Sequence, residues 1–162
     1  MKERRAHITH TGKLRFEART GTGREVVFGD DPDLSENSPV EIVVAAVAAC
    51  AGMDVAAILA KKRHAIESYE IEVEAVQRDE YPQVLTTVTV LHIVVGPKIT
   101  EESVRRSIEL SATKYCPVNA MLSAGATAVH HRYRVRNTGS VPFEAEGEVI
   151  VTGPRRFPEP VA

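Results

Sequence analysis

The sequence predicts an α+β fold in which antiparallel sheets pack around one buried helix that carries a cysteine. Two observations predict it. The stretch Ser38–Lys61, SPVEIVVAAVAACAGMDVAAILAK, has a helix-start signature followed by a long apolar run. On either side of it, short alternating segments group into runs of strands rather than alternating one by one with helices.

In the N-terminal segment, HITHTGKLRFEART contains two strand-like runs hinged at Thr11-Gly12. In the second, Leu14, Phe16 and Ala18 alternate with Lys13, Arg15 and Glu17. TGTG at 20–23 is a turn and REVVF at 24–28 returns, completing an antiparallel meander. GDDPDLSEN at 29–37 is a polar loop.

The central helix comes next. Ser38 caps it, Pro39 fits the first helical position, and Glu41 can reach back to close a capping box. From Val40 to Ala60 the polar side chains are Glu41, Asp54 and the weakly polar Cys50. A helix apolar all round is a buried helix, so Met53 is expected in the core. Ala48, Ala49, Ala51 and Gly52 surround Cys50 with small side chains and leave room to approach the sulfur. Ile42–Ala60 is about long enough to span a bilayer. Asp54, the capping box and the flanking strands favour a core helix, and no membrane partner is expected. One sheet covers one face, and a second copy of the chain is the simplest cover for the other, which predicts a homodimer.

Tyr69–Val76 alternates Tyr69, Ile71 and Val73 with Glu70, Glu72 and Glu74, a strand with one wet face. Val84–Val95 pairs with it as a hairpin. Gly96-Pro97 breaks the run. Thr100 then caps the helix TEESVRRSIELSATKY, whose apolar stripe runs Val104, Ile108, Ser111 or Ala112, and Tyr115. Cys116-Pro117 opens a short helix ending at Gly125. Ala126–Asn137 and Phe143–Thr152 read as strands, and the Pro-rich tail GPRRFPEPVA reads as loose.

Composition narrows the function. A net charge of −2, 5% aromatic residues and no Trp leave no basic or stacking surface for nucleic acid. The N-terminus, MKERRAHITH, never becomes an apolar run, so a secretory signal is not expected and the chain reads as cytoplasmic. In that compartment a pair of cysteines is more often catalytic or metal-binding than a structural disulfide. Zinc would need more ligands than CxxC or HxxxH spacings supply here, so neither a metal nor a cofactor is expected. His130 and His131 point to opposite faces of a strand. Cys50 is either a reactive thiol or a small buried hydrophobe. Cys116 is either a helix cap or a thiol whose thiolate the helix N-terminus stabilises. Asp54, four residues after Cys50 on the same face, would disfavour a thiolate there.

SPVEIVVAAVAAC at 38–50, together with CPVNAML at 116–122, resembles the OsmC/Ohr family of thiol-dependent hydroperoxide reductases. The shared pattern is a Pro-initiated, Ala-rich helix with a central Cys and a second Cys-Pro 66 positions later. The resemblance covers residues 1–137, with 138–162 as a C-terminal extension holding one extra strand. It implies an OsmC-like, intertwined homodimer with sites at the subunit interface. It implies Cys50 as the peroxidatic nucleophile, oxidised by an organic hydroperoxide to a sulfenic acid, and Cys116 as the resolving thiol. A dithiol reductant, such as a lipoyl protein, would then reopen the disulfide. It further implies an Arg from the N-terminal strands beside the sulfur, for which Arg24 and then Arg19 are the candidates. Organic-hydroperoxide enzymes of the family hold that Arg with an acid directly after the helix-initiating Pro. Here that position is Val40 and the acid is Glu41, as in less-characterised branches; Glu41 is either that partner or the capping residue. The alternatives are an OsmC-like dimer that binds an apolar or thiol-reactive small molecule without turnover, and a redox-sensing disulfide protein.

Overall fold

The computed structural model describes residues 2–31 and 36–154. It divides into two compact units, residues 1–43 and 44–162. In the first, β1 (Ala6–Gly12), β2 (Arg15–Thr20) and β3 (Glu25–Phe28) form a three-stranded antiparallel meander in chain order. The β2–β3 turn closes through Thr20 N–H to Arg24 O (2.8 Å) and Gly23 N–H to Thr20 O (2.8 Å). Gly23 sits at φ +80°, a left-handed conformation that glycine adopts without steric penalty.

Helix α1 (Pro39–Lys61) crosses from one unit to the other. It begins where the capping signature predicts, and Glu41 Oε2 accepts the Ser38 N–H at 3.4 Å.

In the second unit, β4 (Ser68–Gln77), β5 (Leu85–Gly96), β6 (Ala128–Asn137) and β7 (Phe143–Thr152) form one sheet in chain order. β4–β5 and β6–β7 are antiparallel, but β5–β6 is parallel, so the expectation of purely antiparallel sheets is corrected. The physical reason lies in the connection. The segment between Gly96 and Ala128 contains α2 (Glu101–Leu110), a π-helical turn (Ser111–Tyr115) and α3 (Pro117–Ser123). A connection of that length returns the chain to the starting end of the sheet, as parallel pairing requires. β7 pairs with β6 along its length and forms one edge of the sheet. Residues 155–162 of the tail, expected to be loose, lie outside the described residues.

The sheet's inner face carries Val88, Val90, His92 and Val94 of β5 and Val129, His131, Tyr133 and Val135 of β6, all buried. Val55 and Leu59 of α1, and Val104 and Ile108 of α2, pack into the same core. Each fully buried aliphatic side chain of this kind contributes roughly 1.5–3 kcal/mol. One small residue of α1 also has a packing role. Ala48, Ala51 and Gly52 are on its buried face, and a Cβ on Gly52 would stand 2.4 Å from Ile71 Cδ1 of β4. The missing side chain at Gly52 serves close helix–sheet approach.

Two further expectations are corrected. Only 33% of the most apolar window of α1 is buried, and Met53 is 75% exposed. The helix is long and apolar enough to cross a membrane by length and composition, but one of its faces packs on the sheet like that of a core helix. Its other face, with Val43, Ala49, Met53 and Ala57, is open. Tyr115 leaves the α2 stripe and is 48% exposed. The π-helical turn explains this. Cys116 N–H bonds Ser111 O at 2.9 Å, five residues back, and the extra residue rotates the end of the turn off the α-helical phase.

Candidate functional site: two thiols, a carboxylate and a buried polar chain

Cys116 owes its position to Pro117. A residue before proline is pushed out of the helical region, and Cys116 is extended at φ −74°, ψ 103°. Pro117, lacking an N–H, starts α3 without leaving a donor unpaired. Cys116 is therefore the N-cap, and its Sγ accepts the Asn119 N–H at 3.3 Å. This places the thiol at a π-helical turn, a feature frequent at functional sites.

Cys50 lies half-buried on α1 and Cys116 is buried; both are free thiols. Their sulfurs and a carboxylate oxygen of Asp54 all lie within 4.8 Å of one another. Asp54 Oδ2 accepts a hydrogen bond from Ser111 Oγ at 2.9 Å. Two sequence-predicted site residues, Cys50 and Cys116, are thus brought together, with Asp54 as a third member. Of the two readings of Cys116, helix cap or stabilised thiolate, the structure shows the cap. Burial, then hydrogen bonding with Cys50, pushes its pKa up to about 12, against the lowering effect of the Asn119 and Val118 N–H groups. A capping turn of a seven-residue helix does not offset that desolvation, and Cys116 rests as a neutral thiol.

Below Cys116 runs a chain of buried polar groups. Tyr69 Oη meets His92 Nδ1 at 2.7 Å, His92 Nε2 meets His131 Nδ1 at 3.4 Å, and His131 Nε2 meets Asn119 Oδ1 at 3.0 Å. One contact sets its direction. Asn119 Nδ2 donates to the Ala112 carbonyl at 2.9 Å, and a carbonyl can only accept. Asn119 Oδ1 therefore faces His131 and takes its Nε2–H, leaving Nδ1 to accept from His92 Nε2–H. His92 Nδ1 in turn accepts from the Tyr69 hydroxyl. Thr152 Oγ1 donates to Asn119 Oδ1 at 3.2 Å. Burial lowers the His92 pKa to about 3, helped by His131, and lowers that of His131 to about 4, helped by His130. Both imidazoles are neutral, which is what the one-way chain requires. Its members were not singled out from the sequence as a group. The detectable signal was two histidines in apolar strand positions, and the parallel β5–β6 register sets His92 diagonally from His131 on one face.

The other predicted residues lie in the first unit. Arg19 Nη2 pairs with Glu25 Oε1 at 2.6 Å across β2–β3, and both side chains are exposed. Arg24 is exposed at the turn, its backbone N–H donating to Thr20 Oγ1 at 3.2 Å. Glu41 serves the cap of α1. An arginine that sequence reasoning passed over, Arg15, pairs with Glu36 at 2.9 Å. The Asp31 N–H, and then Arg15, hold the Glu36 carboxyl below its usual range.

A model of the OsmC-like protein family matches residues 29–132. The chain belongs to the OsmC-like family. The protein YhfA of Escherichia coli K12 is 30% identical over 130 residues, covering 80% of this chain and 96% of YhfA. The OsmC-like fold is shared with a hypothetical protein of Aquifex aeolicus VF5, at TM-score 0.75 and 24% identity, covering 83% of this chain and 97% of that one. It is also shared with an organic hydroperoxide resistance protein of Legionella pneumophila, at TM-score 0.62 and 13% identity, covering 83% and 97%. The matched residues of this OsmC-like chain include Cys50, Asp54 and Cys116.

Proposed function

We propose that this OsmC-like protein is a thiol-dependent peroxidase that reduces organic hydroperoxides, with Cys50 as nucleophile and Cys116 as resolving thiol. The observation that carries the reading is two free thiols held within 4.8 Å, one on α1 and one at a pre-proline cap. The Cys50 thiolate attacks the peroxide O–O bond, becomes a sulfenic acid and releases an alkoxide, which leaves as the alcohol on protonation. Cys116 then condenses with the sulfenic acid. The S–S bond forms, and the thiol proton departs with the sulfenic hydroxyl as water. A neutral Cys116 suits that order, because its proton is retained until the sulfenic acid exists. A dithiol such as a lipoyl group then reduces the disulfide by exchange. Arg24, then Arg19, are the arginines that the family resemblance offers to assist the nucleophile. The open apolar face of α1 supports a homodimer, and the cysteine usage supports a cytoplasmic setting.

The test is intact mass under denaturing conditions after seconds with one equivalent of cumene hydroperoxide. Loss of two hydrogens, abolished in Cys50→Ser, is the expected result. Peroxide consumption at an unchanged rate in Cys50→Ser overturns the reading. Val40, in place of the family's acid, favours a second reading, a redox-sensing disulfide without turnover. It predicts the same mass loss but no steady-state consumption with any dithiol.

A further inference from the structure

A two-thiol cycle gives no role to the carboxylate beside the sulfurs. Asp54 is one helical turn from Cys50, so α1 presents a sulfur and an oxygen side by side on one rigid face. The cap of α3 brings a second sulfur to them, and all three donor atoms lie within 4.8 Å of one another. We propose that Cys50, Asp54 and Cys116 form a three-ligand site for a soft divalent transition-metal ion of the zinc class.

The geometry suits such an ion. Zinc holds sulfur at about 2.3 Å and carboxylate oxygen at about 2.0–2.2 Å, which sets tetrahedral donor–donor separations of roughly 3.5–3.8 Å. Side-chain movements of about 1 Å or less close the three donors onto it. The ion displaces the thiol protons to solvent as it binds, and the resulting donor set is selective: two thiolates and one carboxylate favour zinc, cobalt or cadmium over magnesium or calcium. The supporting contacts are in place. Ser111 Oγ holds Asp54 Oδ2, and the Asn119 N–H holds Cys116 Sγ. Three protein ligands leave the fourth position open to water or a small ligand. The expectation of no metal came from the spacing: the ligands stand 4 and 66 positions from Cys50, outside any short motif.

The metal form and the disulfide exclude each other, because forming the S–S bond removes two of the three ligands. Metal binding itself does not depend on peroxide turnover.

The experiment uses the full chain, reduced and oxygen-free, titrated with Co²⁺ as a spectroscopic probe. Expected is one Co²⁺ per chain, with a thiolate-to-cobalt charge-transfer band and tetrahedral visible bands, displaced by equimolar Zn²⁺. Asp54→Ala should weaken Co²⁺ binding by at least about tenfold. Asp54→Asn retains an acceptor for Ser111, so it separates loss of a ligand from loss of folding, and it should also weaken binding. Cys50→Ser should remove roughly half of the charge-transfer intensity. Absence of a thiolate band, or binding as tight in both Asp54 variants as in the parent, overturns the site. The hydroperoxide mass test runs on chelator-treated protein, so it can fail or succeed separately from the metal titration.

Discussion

The Arg19–Glu25 pair of the first unit meets polar demands with charge in water, and the histidine chain of the second meets them with neutral groups away from it. Arg19 and Glu25 face each other across β2–β3, both side chains 68% exposed. His92 and His131 sit on the inner face of β5–β6, fully buried. An exposed ion pair has water as a ready substitute for either partner and is worth about 0–1 kcal/mol. A buried neutral chain has no substitute, so every donor must find an acceptor, and among the described residues no buried side-chain N or O lacks one. The comparison teaches where mutation will be felt: at the uncharged residues, ahead of the charged ones.

The largest effect should come from His131→Leu. It strands the His92 Nε2–H and takes a donor from Asn119 Oδ1, at a cost of about 2–4 kcal/mol. Urea unfolding at unchanged m-value checks this. Tyr69→Phe removes only the donor at the chain's far end and should cost about 1 kcal/mol. A double-mutant cycle between the two should show coupling above about 0.5 kcal/mol. Additivity would mean the chain is a row of independent bonds.

Acid sharpens the comparison next. His92 and His131 have folded pKa values below the unfolded value near 6.5, so the unfolded chain binds protons first as pH falls. Their contribution to stability is complete above pH 6.5 and is lost between there and about 4 to 3. The slope is up to about 1.4 kcal/mol per pH unit for each imidazole. The urea midpoint should drop between pH 7 and 4.5 in the parent, and should drop less in a variant lacking both histidines. The smallest effect belongs to Arg19→Gln, expected within about 0.5 kcal/mol and shrinking further in salt.

The same contrast explains what could be read in advance. Element ends were legible wherever a breaker stood: Pro39, Gly96-Pro97 and Cys116-Pro117 each bound an element as the sequence analysis expected. The two thiols were legible because small residues and a Cys-Pro marked them. The parallel β5–β6 pairing was not, because alternation records which face a side chain occupies and not which way the neighbouring strand runs. Tyr115 was misplaced because one extra residue in a helical turn shifts the phase without any marker in composition. Asp54 was seen as an influence on Cys50 rather than as a neighbour of both sulfurs, since its nearness to Cys116 depends on the long β5–β6 connection. The direction of the histidine chain rests on the Ala112 carbonyl, and a backbone oxygen leaves no trace in a sequence.

The 66 positions between the sulfurs also set a timetable for synthesis. At about 5–20 residues per second, Cys50 leaves the ribosome roughly 3–13 s before Cys116 does. β6, which must pair with β5 to seat α3, emerges later still. For that interval a nascent chain carries Cys50 beside Asp54 with no resolving partner. An oxidant arriving then would meet a lone thiol, and the cell's reducing capacity at the exit tunnel would decide how many molecules reach the two-thiol state intact.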